Sequence, residues 1–141
     1  MFDLQVWTFE TSDNILKCAA TTGVRVQGIR KLVQRFLLLL LTDRGSVRYG
    51  RPRQQARGTT FLSQFREGYN TEADLMAAFD VATFIVKSQL REEESPDDDD
   101  SEMLKTAKLE KLILTPKAAN LIIRIQSMTD EMRFVLPLAT A

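Results

Sequence analysis

The stretch from Val26 to Leu41 changes its hydrophobic pattern midway. Val26, Ile29, Val33, Phe36, Leu37 and Leu40 recur at helical intervals and form one apolar stripe. Gln27, Arg30, Lys31, Gln34 and Arg35 take the opposite face. From Phe36 to Leu41 every residue is apolar, so the polar face vanishes. The last turn is therefore expected to be covered on all sides, by the chain itself or by a partner, with Leu37, Leu40 and Leu41 in the core. The pattern predicts a helix over 24–42 that stops at Thr42-Asp43-Arg44-Gly45. Gly45 can take the left-handed conformation that closes a helix, and Arg44 sets a cation at the negative end of the helix dipole. A membrane span needs roughly 20 apolar residues, far more than this run offers.

Before this helix, Phe2, Leu4 and Val6 alternate with Asp3, Gln5 and Trp7, which predicts a short strand, and 15–20 reads as a second. After it, 43–60 reads as an extended loop broken by Gly45, Gly50, Pro52 and Gly58. Phe61, Leu62 and Phe65 suggest a short helical turn. Thr71 then caps a helix running to about Leu90, with Leu75, Phe79, Ala82 and Val86 on one face and Met76 and Ile85 beside them. Beyond 102 the period changes to two. Residues 104–115, 120–127 and 133–138 read as three strands of an antiparallel meander. The predicted fold class is α+β: two main helices packed on a small, mostly antiparallel sheet with a C-terminal three-stranded meander, in a single domain over 1–141.

Charge sharpens this outline. The chain is formally neutral, with 19 basic and 19 acidic residues, but they are segregated. Residues 25–66 hold ten Lys or Arg and one acid, Asp43, while 92–102 (EEESPDDDDSE) hold eight acids and no base. The acidic run has too little apolar surface to fold and is expected to be a mobile loop. Its adjacent aspartates lack the alternating ligand spacing and the glycine of a calcium loop. Five arginines fall within 44–57, with Tyr49 among them. Such a loop suits protein interfaces, through bidentate carboxylate pairing and stacking, and it equally suits phosphates, so a nucleic-acid-binding module using residues 44–57 is the alternative reading.

The vocabulary of catalysis is sparse. Without histidine there is no Ser-His-Asp triad, Cys-His pair or histidine metal ligand. No GxGxxG or P-loop occurs, so no cofactor is implied and no enzymatic activity is expected. Cys18, the single cysteine, excludes an intrachain disulfide and reads as a small buried residue. Residues 1–4 carry neither a basic nor an apolar signal segment, so a reducing compartment is expected.

The segment Val26-Gln27-Gly28-Ile29-Arg30-Lys31-Leu32, then Leu37 to Leu41, then Thr42-Asp43-Arg44-Gly45-Ser46-Val47-Arg48-Tyr49 resembles the baseplate wedge, or sheath-initiator, family of contractile phage tails and related injection machines. In order and spacing the resemblance covers roughly residues 24–136. It departs where family members commonly carry Glu-Pro-Arg between the second helix and the meander; this chain has Leu90-Arg91-Glu92-Glu93-Glu94 and the acidic run. The resemblance implies a virion protein of the tail baseplate, assembled in the host cytoplasm in several copies around the tube in a six-fold ring. Its implied partners are the wedge proteins, the tail sheath protein and the tail tube protein, with no membrane or nucleic acid. The expected wedge interface is Arg44, Arg48, Tyr49, Arg51 and Arg53. The expected structural anchor is Gly28, Leu37, Leu40, Leu41, Thr42 and Gly45. The resemblance further implies that a sheet edge, the strand of 120–127 or that of 133–138, accepts a sheath strand. Pro137 lacks an N–H and is tolerated mainly at an edge or strand end, which favours the last strand, Arg133, Phe134, Val135 and Leu136, as that edge.

Overall fold

The computed structural model describes residues 3–4, 7–10, 15–18, 25–26, 28–43, 58–68, 71–93, 99–116 and 118–139, by backbone alone before residue 28. The chain is α+β. Its elements are β1 (Asp3–Leu4), β2 (Trp7–Glu10), β3 (Ile15–Cys18), β4 (Arg25–Val26), α1 (Ile29–Leu41), α2 (Phe61–Glu67), α3 (Glu72–Glu93), a 3-10 turn (Asp100–Glu102), β5 (Leu104–Leu114), β6 (Ala118–Ser127) and β7 (Glu131–Ala139). Internal contacts gather into two compact units, Met1–Gln34 with Ser95–Ala141, and Arg35–Glu94.

The first unit holds a five-stranded sheet in the order β2-β3-β7-β6-β5 and a two-stranded pair, β1 with β4. The expected meander is present: β5, β6 and β7 pair antiparallel in sequence. Burial along β6 alternates strictly, because successive side chains of a strand point to opposite faces. Leu121, Ile123 and Ile125 are fully buried, and Phe134, Leu136, Ala107 and Leu109 join them from the neighbouring strands. The opposite face is mixed, with Ile122 and Val135 beside Asn120, Arg124, Gln126 and Arg133. Arg124 and Arg133 stand directly across from each other, an arrangement that is destabilising for like charges alone. Two carboxylates offset it. Arg124 Nε lies 2.5 Å from Glu110 and 2.9 Å from Glu131, as an ion pair outside hydrogen-bond geometry, and Arg133 Nε lies 3.1 Å from Glu110. The hairpin ends are tied locally. The Thr115 N–H donates to the Ala118 carbonyl, and the Asp130 N–H donates to the Ser127 hydroxyl.

Helix α1 begins later than the expected residue 24. Arg25 and Val26 pair with β1 instead, and Gly28 turns the chain at φ +69° before the Leu32 N–H bonds to the Gly28 carbonyl. Two members of the expected polar face, Lys31 and Gln34, are buried. Lys31 is accommodated because its ammonium pairs with Glu102 at 3.5 Å, and Glu102 also accepts the Gly28 N–H at 3.1 Å. A carboxylate at this helix start is favoured by the dipole.

The same contact narrows the expected mobile loop at 92–102, of which 94–98 lie outside the described residues. Glu92 and Glu93 belong to α3, and Glu93 pairs with Arg35 at 2.9 Å. At the far end Asp99 caps the 3-10 turn and Glu102 is buried. The acids at both ends of the run find cations or N–H donors, which composition could not reveal.

The second unit is built on α2, α3 and the end of α1. Phe79 stacks edge-on against Phe61, with centroids 5.7 Å apart, and tilts against Phe36 at 6.4 Å. Leu75, Phe79, Ala82, Val86 and Leu90 form the buried face of α3, with Met76 and Ile85 half-buried beside them, as the spacing predicts. Leu37 and Leu40 are fully buried and Leu41 is half-buried. The end of α1 is not covered on every side, however: Leu38 is 42% exposed. The five consecutive leucines of 37–41 span more than a full turn of helix, so at least one of them has to face outward.

Candidate assembly surfaces

The anchor expected at the end of α1 is a clamp assembled from both ends of the segment 44–57. Asp43 and Thr59 form an isolated parallel bridge, and the Thr59 N–H donates to the Thr42 carbonyl at 2.9 Å. The Thr59 hydroxyl donates to the Leu40 carbonyl at 2.9 Å and accepts the Phe61 N–H at 3.2 Å. This buried hydroxyl satisfies the end of one helix and the start of another. The Thr42 hydroxyl turns back to the Leu38 carbonyl. Ser63 donates to Asp43 at 2.8 Å, so the acid beside the arginines is held in place.

Gly58 completes the clamp. Its backbone has φ +98°, and a Cβ there would sit 2.2 Å from the Thr42 carbonyl oxygen. The Gln89 side chain bonds both Gly58 backbone groups, accepting from its N–H at 3.0 Å and donating to its carbonyl at 3.1 Å. Gly58 was legible as a breaker; its clamp with Thr59 and Gln89 carried no local sequence signal. Of the expected anchor residues, Thr42 and Leu40 take part in it through their carbonyls, while Leu37 and Leu41 lie on the same end of α1. Gly28 is at the other end of α1 and caps against Glu102, and Gly45 lies outside the described residues. Arg44, Arg48, Tyr49, Arg51 and Arg53 also lie outside them.

The expected sheath-strand template is corrected for both candidates, since 120–127 lie in β6, between β5 and β7. Arg133 to Leu136 lie in β7, which is interior: β6 pairs along it from Ala139 to Glu131, and β3 pairs in parallel on the other side at Ile15–Val135. Pro137 is two residues from the end of β7, where a missing N–H is tolerated. The strand β3, far away in sequence and weakly patterned, takes the position the sequence left open. Among the described residues the edges of this sheet are β2 and β5. The longer is β5, 11 residues with register shifts between Leu104 and Thr106 and between Leu109 and Lys111. Lys105, Lys108 and Lys111 are exposed along it, and Ile113 and Leu114 are exposed at its end. Bulges and lysines are common guards of an exposed edge against indiscriminate pairing.

Comparison with known proteins returns no matching family model, no matching curated protein and no matching solved structure. No helix among the described residues is long and apolar enough to cross a membrane.

Proposed function

We propose that this chain is a non-enzymatic structural subunit of a contractile phage tail baseplate. It joins wedge proteins around the tube and templates the first sheath ring by strand addition. The observation that carries the reading is the β5 edge, 11 residues of strand paired on one side by β6. Backbone pairing there would supply affinity, and the alternating side chains would set the register. The resemblance over 26–49 and the clamp that closes the base of the arginine-rich segment support the same reading.

Locating the chain in assembled particles by electron microscopy tests the assignment, and a position away from the baseplate would overturn it. Strand addition is tested at Lys111 and Leu112, adjacent residues in regular register with β6. Neighbouring N–H groups of an antiparallel edge strand point to opposite sides. One of Lys111→Pro and Leu112→Pro should therefore keep the native fold while blocking sheath polymerisation on complete baseplates. Replacing Arg48 and Arg51 together by Glu should stop incorporation into wedges while leaving the melting transition in place. Submicromolar DNA binding that falls steeply with added salt, and is lost in that double variant, would favour the nucleic-acid module instead.

A further inference from the structure

We propose that the outward face of α3 is a self-association surface, on which a second copy of this chain packs its own α3 antiparallel. The helix is apolar on two opposite faces. Opposite the buried stripe, Ala77, Val81, Phe84 and Ser88 recur at intervals of four, three and four, the spacing of a coiled-coil seam. All four are exposed, Val81 at 62% and Phe84 at 72%. Single exposed apolar residues are ordinary on a protein surface; a seam in helical register is not. The Ser88 hydroxyl is already bonded to the Phe84 carbonyl at 3.1 Å, so covering it strands no donor.

The order of charges selects the occupant. Along and beside the seam, the N-terminal half of α3 carries Asp74 and Asp80, and the C-terminal half carries Lys87 and Arg91. Glu92 and Glu93 follow, and the Glu93 carboxylate is engaged by Arg35. A parallel copy would set acid against acid. An antiparallel copy with its two-fold axis between Ala82 and Thr83 sets Val81 against the partner's Phe84, Ala77 against the partner's Ser88 and Asp74 against the partner's Arg91. Each contact then occurs twice, as a two-fold interface requires. A 22-residue helix is about 33 Å long. With only Val81 and Phe84 as large apolar side chains in the seam, the contact is a small one, and a weak, micromolar dimer is expected. This surface does not depend on the baseplate reading, since β5 takes no part in it.

Sedimentation equilibrium of the full chain from about 1 to 300 μM reads the association directly. A monomer–dimer equilibrium is expected, weakened at least about tenfold by Val81→Ser with Phe84→Ser. Asp74→Arg and Arg91→Asp should each weaken it, and the two together should restore it to within about threefold of wild type. The charge exchange keeps the seam intact, so it decides the matter even if the serine variant unfolds. A monomer throughout the range, a dimer indifferent to Val81 and Phe84, or failure of the double reversal to restore association would each overturn the proposal.

Discussion

Strand β6 and helix α1 are both rich in branched apolar residues, yet their sequences foretell burial very differently. Along β6 the pattern LIIRIQ alternates buried and half-buried without exception, and even the apolar Ile122 obeys it. Along α1 the run FLLLLL does not give its own phase. Leu37, Leu39 and Leu40 are buried while Leu38 faces out, and the charged Lys31 is buried a turn and a half earlier. A strand has only two faces, so one buried residue fixes all the others. A helix turns 100° per residue, and an unbroken apolar run leaves its orientation to whatever packs around it.

The contrast can be broken most forcefully at Lys31. Lys31→Met strands the Glu102 carboxylate in a buried site and should cost about 3–5 kcal/mol in chemical denaturation, whereas Lys31→Met with Glu102→Leu should come close to wild type. Equal losses for the single and double variants would mean the pair is not a coupled buried unit. Next come the apolar positions themselves. Leu40→Ala and Ile123→Ala should each cost about 2–5 kcal/mol. Leu38→Ala, two residues from Leu40, should cost about 1 kcal/mol at most. Similar losses at Leu38 and Leu40 would show that the helix end is enclosed after all.

Gly58→Ala sharpens the picture at the clamp. It combines a left-handed backbone with a Cβ driven into the Thr42 carbonyl, and should cost about 1–3 kcal/mol even before the clash relaxes. A neutral result in thermal melting would exclude the close approach. The smallest effect is at Asp99. Its carboxylate accepts the Ser101 N–H at 3.0 Å, and this hydrogen bond holds its pKa below the ordinary 3.8. A lowered carboxylate pKa contributes stability above the ordinary value and loses it as pH falls through the lowered one. The Asp99 carboxyl resonance should therefore titrate below 3.8, and in Ser101→Pro, which lacks the N–H, it should move up toward that value.

The sequence by itself determined the α+β class, the buried face of α3, the cap at Thr71, whose hydroxyl accepts the Asp74 N–H at 3.1 Å, and the three strands of the meander. These rest on local chemistry: a side-chain period, a capping oxygen, a turn. Only the tertiary structure decided which strand is an edge, which leucine faces out and which acids are buried. β7 became interior because β3 returned from more than a hundred residues away to pair at Val135. Glu102 left the acidic run because Lys31 and the Gly28 N–H were waiting for it. Thr59 and Gln89 became the clamp because the chain on either side of 44–57 closes on itself. Each outcome depends on a partner distant in sequence, and no local pattern carries the identity of such a partner.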